Sequence, residues 1–142
     1  MTQSLYYSQE ILQLLYGSRG GWYCGYVKFD KPPLPKTLGY NGIVTYIPVH
    51  GGVTYYDARK GGSVVYGFDG AHYKDKDNRD LLSEEWWETQ CVHLAKGLKI
   101  ASEYEYYFNS ALDSKEKANI IDQFHASMRE YGISFDITPP TV

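Results

Sequence analysis

Between residues 43 and 69 three runs rich in β-branched and aromatic residues follow one another: IVTYIPV (43–49), GVTYYDA (52–58) and SVVYGFD (63–69). Gly51-Gly52 and Gly61-Gly62 mark the breaks between them. Such residues suit a pleated, half-buried surface. Connections this short join antiparallel neighbours, because a parallel crossover needs a dozen or more residues. The spacing therefore predicts an antiparallel meander of three strands. Pro48, which lacks an N–H, marks an edge or an irregularity just before His50. Upstream, WYCGYVKF (22–29) reads as another strand, and Gly25 in its middle signals a bulge or a close approach. The segment before it reads differently. Ser8 caps a short helix with Ile11, Leu14 and Leu15 on one face, and Gly17 stops it. Residues 30–42, DKPPLPKTLGYNG, form a proline-rich surface loop that covers a pocket.

The second half changes period. Trp87, Cys91, Leu94, Leu98, Ala101, Tyr104 and Phe108 recur at helical spacing and predict a helix over 83–110, capped by Ser83, with Gly97 a weak point. Asp113 and Glu116 have the spacing of a capping box for a second helix, whose core face is Ile121, Phe124 and Met128 and whose stop is Gly132. Trp87, Leu94 and Leu98 are expected against Val53, Val65 and Phe68 of the sheet. ISFDI (133–137) reads as a last edge strand and residues 138–142 as a tail. The fold class is thus α+β, a small antiparallel, meander-like sheet packed against two C-terminal helices, in one domain spanning 1–142.

Composition narrows the function classes. The chain has 142 residues, 14 Lys+Arg against 17 Asp+Glu, and a net charge of -3, which disfavours duplex DNA as a partner. Its start has no basic end followed by an apolar run, and no 18-residue apolar stretch occurs, so neither a signal peptide nor a membrane span is expected and the cytoplasm is the expected location. Cys24 and Cys91 lack close spacing and are expected to be reduced. Fifteen tyrosines exceed ordinary usage. They serve sheet and core, and they also suit stacking pockets and an oligomer interface, so a dimer is expected.

No motif fixes a reaction. There is no G-x-G-x-x-G before a helix, no Walker A lysine and no G-x-S-x-G elbow, and DKDNRD lacks the glycine and glutamate a calcium loop needs. No cofactor is implied. His93 and His125 lie within helices without a second ligand at metal spacing and read as structural. His50 and His72 each stand at a strand-to-loop transition beside glycine, with Asp69 between them in sequence. As a hairpin, 52–58 and 63–69 bring both histidines to one end. There they either satisfy turns, or hold a polar ligand, or, with Asp69, form a catalytic or metal site. Candidate ligand contacts are His50, Tyr55, Asp57, Arg59, Phe68, Asp69, His72, Tyr73, Lys74 and Arg79: rings for stacking, cations for an anion.

The segment VHGGVTYYDARKGGSVVYGFDGAHYKDKD (49–77) carries V-H-G-G, a hydrophobic residue and threonine, then G-F-D-x-A-H-x-x-D. With Gly25-Tyr26-Val27 and the helix EWWETQCVHLA (85–95), it resembles a group of small proteins common in phages and prophages. Two departures stand out: Gln90 replaces an acid usual in that helix, and residues 99–132 add a second helix. The resemblance implies a viral origin and an accessory role such as countering host defence. Three functions follow as expectations. The first is sequestration of a small anionic, nucleotide-derived signal by an oligomer. The second is metal-assisted hydrolysis of a phosphorylated small molecule through His50, Asp69 and His72. The third is inhibition of a host protein through the tyrosine-rich surface.

Overall fold

The computed structural model describes residues 2–3, 11–19, 22–34, 36–37, 39–49, 51–69 and 84–133, and side-chain surroundings within 25–68 and 88–133. Five strands, β1 (Thr2–Gln3), β2 (Ile11–Arg19), β3 (Trp22–Phe29), β4 (Tyr55–Ala58) and β5 (Val64–Asp69), form one antiparallel sheet in the order β1-β2-β3-β5-β4. Helices α1 (Glu84–Ser110) and α2 (Ser114–Glu130) follow. The sheet packs against this C-terminal helical pair, as the change of sequence period predicts.

Two local expectations are corrected. Residues 11–19 are a strand, not the end of a helix: Leu14 pairs with Val27 and Tyr16 with Gly25. The apolar spacing of Ile11, Leu14 and Leu15 satisfied a helical period over too few residues to compete with a partner strand two residues away. The irregularity in that ladder falls between Ile11 and Gln13, not at Gly25. Residues 43–49 are not a strand either. Gly42–Tyr46 is a 3-10 helix, in which Val44 N–H donates to Asn41 O at 3.3 Å and Thr45 Oγ1 donates to Gly42 O at 2.8 Å. Ile43, Val44, Ile47 and Val49 are all buried, so this apolar run plugs the core from a compact turn. With it out of the sheet, the β4–β5 hairpin docks through β5 directly onto β3.

Alternation then decides which side chains are used up in packing. Gly25, Val27 and Phe29 stand opposite Phe68, Tyr66 and Val64, and Tyr66 and Val64 stand opposite Tyr56 and Ala58. This face meets α1 through Cys91, Leu94, Leu98 and Ala101, all fully buried. Val53 and Phe68 join that cluster as expected, whereas Val65 does not. It occupies the other face, between Lys28 and Asp57 in register, and is buried there. The packing expected of the Trp87 side chain, the Ser83 cap and a strand over 134–137 lie outside the described residues. Two glycines explain close approaches. A Cβ at Gly25 would stand 2.6 Å from the Phe68 ring and 2.8 Å from Cys91 Sγ, and one at Gly97 would stand 2.7 Å from Ile47. Gly97 is therefore where the 3-10 turn presses onto α1 rather than a weak point.

The helix termini follow the sequence closely. Asp113 accepts from Glu116 N at 2.9 Å, and Glu116 Oε2 reaches back to Leu112 N at 2.7 Å. Phe124 and Met128 are fully buried against the core, with Ile121 partly so. At the far end Gly132, at φ +79°, lets Ile133 N–H bond Met128 O at 3.0 Å while Gly132 N–H bonds Arg129 O at 3.0 Å. These two hydrogen bonds satisfy carbonyls of the last turn of α2 and return Ile133 into the core.

Candidate ligand-binding cleft

Register fixes which residues share an end of the sheet. Phe29, Val64 and Ala58 stand abreast at one end, next to the Arg59–Gly62 turn. That turn is closed by Arg59 N–H to Ser63 O at 2.8 Å, with Gly61 and Gly62 at φ +98° and +97°. At the opposite end Tyr55 pairs with Gly67, and Thr54 N–H donates to Gly67 O at 2.9 Å. Gly52 and Asp69 therefore leave the hairpin from the same end, as the sequence predicts. Asp69 is the last residue of β5, paired with Cys24. His50, His72, Tyr73, Lys74 and Arg79 lie outside the described residues, as does the side chain of Asp69.

The remaining expected contacts separate. Tyr55 and Asp57 share the outer face of β4. Tyr55 packs edge-on against Tyr26, with ring centroids 5.2 Å apart, and the Tyr26 ring lies over Gly67. Asp57 binds Arg59 at 3.4 Å, both half-exposed, so this carboxylate holds one of the expected cations. In solvent such a pair is worth about 0–1 kcal/mol, which leaves the guanidinium easily recruited by a stronger anion. Phe68 corrects the expectation that it contacts a ligand beside Tyr55: it faces the other way, 1% exposed, between Gly25 and α1.

The sequence marks the proline-rich segment, residues 30–42, as the cover of a pocket. A cleft of about 480 Å³ opens between this segment and α1, lined by Phe29, Asp30, Lys31, Pro32, Pro33, Lys99 and Ser102. Ser102 Oγ donates to Lys99 O at 2.6 Å, which leaves its lone pairs toward other donors. The cleft adjoins Phe29 and so lies at the Arg59–Gly62 end of the sheet, across the length of β5, about 17 Å, from the end where Gly52 and Asp69 emerge. Arg59 and Lys60 stand in the turn at this same end of the sheet and do not line the cleft. The signal for Lys99 existed only in three dimensions, since it stands 68 residues from Lys31 on a different element.

A second hollow of about 460 Å³ lies between α1 and α2 and is lined by Tyr104, Tyr107, Ser110, Ala111, Glu116, Asn119, Ile120 and Gln123. It is mostly apolar, and Glu116 is already engaged in the helix cap. Among the described residues the buried titratable groups offer no ready nucleophile. Burial pushes the Cys91 thiol up to about 12, against a smaller opposing effect of a hydrogen bond from the Tyr26 backbone. It is buried and outside any disulfide. Burial, and then the charge of Lys96, lowers the pKa of His93, so its ring is neutral at pH 7. Among the described residues no three His, Cys, Asp or Glu side chains gather at metal-binding distance, and no helix is long and apolar enough to cross a membrane. No family model, characterised protein or solved structure matches the chain.

Proposed function

We infer that this chain is a binding protein that captures a small anionic, nucleotide-derived molecule in the cleft between the proline-rich segment and α1. One observation carries this reading. Lys31 and Lys99, from distant parts of the sequence, line a single cleft at the end of the sheet that also carries Arg59 and Lys60. The lysines supply donors to phosphate oxygens, and the proline rings with Phe29 supply flat apolar walls. Asp30 in the same wall accepts from ribose hydroxyls or base amino groups and discriminates against highly charged polyphosphates. The resemblance of residues 49–77 to small phage proteins supports a viral, cytoplasmic setting in which such capture removes a host defence signal. Exposed Tyr106 and Tyr107 on α1 support self-association.

The test is capture and release. The purified chain is incubated with a nucleotide pool containing cyclic mono- and dinucleotides, washed, heat-denatured, and the supernatant is weighed by mass spectrometry. Intact nucleotide at stoichiometric amount is the expected result. A hydrolysed product in place of the captured molecule would favour the second reading, a hydrolase at the opposite end of the hairpin. That reading draws on Gly52 and Asp69 emerging together.

A further inference from the structure

The two edges of the sheet are finished differently. At one stands β1, only two residues long. At the other stands β4, which pairs with β5 without a register shift and, among the described residues, with no other strand. Tyr55–Ala58 holds no proline, lysine or bulge, the features that commonly keep an edge strand from pairing. Tyr55, Ala58 and Arg59 are exposed. The turn reveals which backbone groups face outward. Arg59 N–H is engaged by Ser63 O at 2.8 Å, so by alternation the backbone groups of Asp57 also face β5. Those of Tyr56 and Ala58 then point away from the sheet. Pleating puts the side chains of Asp57 and Arg59 on the same outer face, where they stand 3.4 Å apart.

We propose that this edge joins two copies of the chain, β4 running antiparallel to β4 of the second copy, with Ala58 facing Ala58 across a two-fold axis. Charge selects both the occupant and the register. A two-fold pairing through the outward backbone groups places Tyr56, Asp57 or Ala58 on the axis. Centred on Asp57, it sets two carboxylates face to face, which is repulsive. Centred on Tyr56, it sets Asp57 against Tyr55 and leaves Arg59 without a counter-charge from the second copy. Centred on Ala58, it brings each Asp57 opposite Arg59 of the other copy. That is a non-hydrogen-bonded position, where Cα atoms approach to about 4.5 Å. Asp57 already has its own Arg59 beside it along the strand, so the charges alternate in sign around the axis. The edge is thus complementary to itself. The pair within one chain is half-exposed and weakly held, which leaves both groups able to share partners. Ala58 is small enough for close approach at the axis. The contact holds whatever the cleft binds.

Light scattering of the full chain at tens of micromolar tests this. The parent should show twice the 16.3 kDa of one chain. Arg59→Asp gathers like charges at the axis and should return the single-chain mass. The exchange of both, Asp57→Arg with Arg59→Asp, restores the alternation and should restore the dimer. Tyr106→Ser with Tyr107→Ser, on the exposed face of α1, should leave the dimer intact. A parent of single-chain mass, a dimer that survives Arg59→Asp, a charge exchange that stays monomeric, or a dimer lost with the two tyrosines would each overturn the assignment. Amide exchange of the parent gives a readout that needs no variant to fold. The Ala58 amide, turned away from β5, should be protected at tens of micromolar and lose that protection on dilution. An Ala58 amide that exchanges at the unprotected rate at both concentrations would overturn the contact as well.

Discussion

The two faces of the β3–β5–β4 sheet are built from the same kinds of residue and are used in opposite ways. On the inner face Val27, Phe29, Val64, Tyr66 and Phe68 are at most 2% exposed and are locked under α1. On the outer face Tyr55 is 39% exposed and Asp57 and Arg59 form a solvated pair. Tyrosine shows the contrast most clearly, since Tyr66 is core and Tyr55, diagonal to it across the ladder, is surface. Residue type therefore does not mark a binding residue in this chain. Position in the strand separates buried Tyr66 from exposed Tyr55. What remains for ligands is the outer face and the two ends of the sheet, of which the Phe29 end carries the lysine-lined cleft.

Mutation should expose this contrast as a gradient. Phe68→Ala removes a buried ring that fills the space over Gly25, and it should lower unfolding stability by about 3–5 kcal/mol in urea. Tyr55→Ala, on the other face of the same hairpin, should cost under about 1 kcal/mol. Similar losses for the two would erase the distinction between the faces. Leu94→Ala, at the centre of the α1 stripe, should cost about 2–4 kcal/mol, and a loss below about 0.5 would move α1 off the sheet. Asp113→Ala removes the cap of α2 and should cost about 1 kcal/mol, read as a lower thermal midpoint with the core unchanged. The smallest effect belongs to Asp57→Asn, which frees Arg59 in solvent and should leave stability within about 0.5 kcal/mol.

The helical half was legible because its signals are local and repeated. The stripe from Cys91 to Phe108, the Asp113–Glu116 box and the Gly132 stop each satisfy a backbone rule within a few residues. Strands 22–29 and 63–69 were legible from β-branched and aromatic content, and the 52–58 run holds the shorter β4. Residues 11–19 and 43–49 were not, because short apolar runs fit strand, helix or 3-10 turn equally and tertiary partners decide among them. In the first case the decision is made by pairing with β3. In the second it is made by burial of Ile43, Val44 and Ile47 against α1, where Gly97 leaves room. For the site, alternation was in the sequence, yet the strand register that turns Phe68 inward was not. Lys99 could not be joined to Lys31 without the fold.

The cleft at the Phe29 end is proposed to take an anionic ligand. Its most direct measurement is equilibrium dialysis of the parent chain, Lys31→Ala, Lys99→Ala and Asp57→Asn against a radiolabelled cyclic dinucleotide, at low and at physiological salt. The expected result is binding by the parent that weakens with salt, a loss of about tenfold or more for each lysine variant, and parent-like affinity for Asp57→Asn. Binding by the parent that both lysine variants retain in full would contradict it, and so would a parent chain that binds no nucleotide of the pool used for capture.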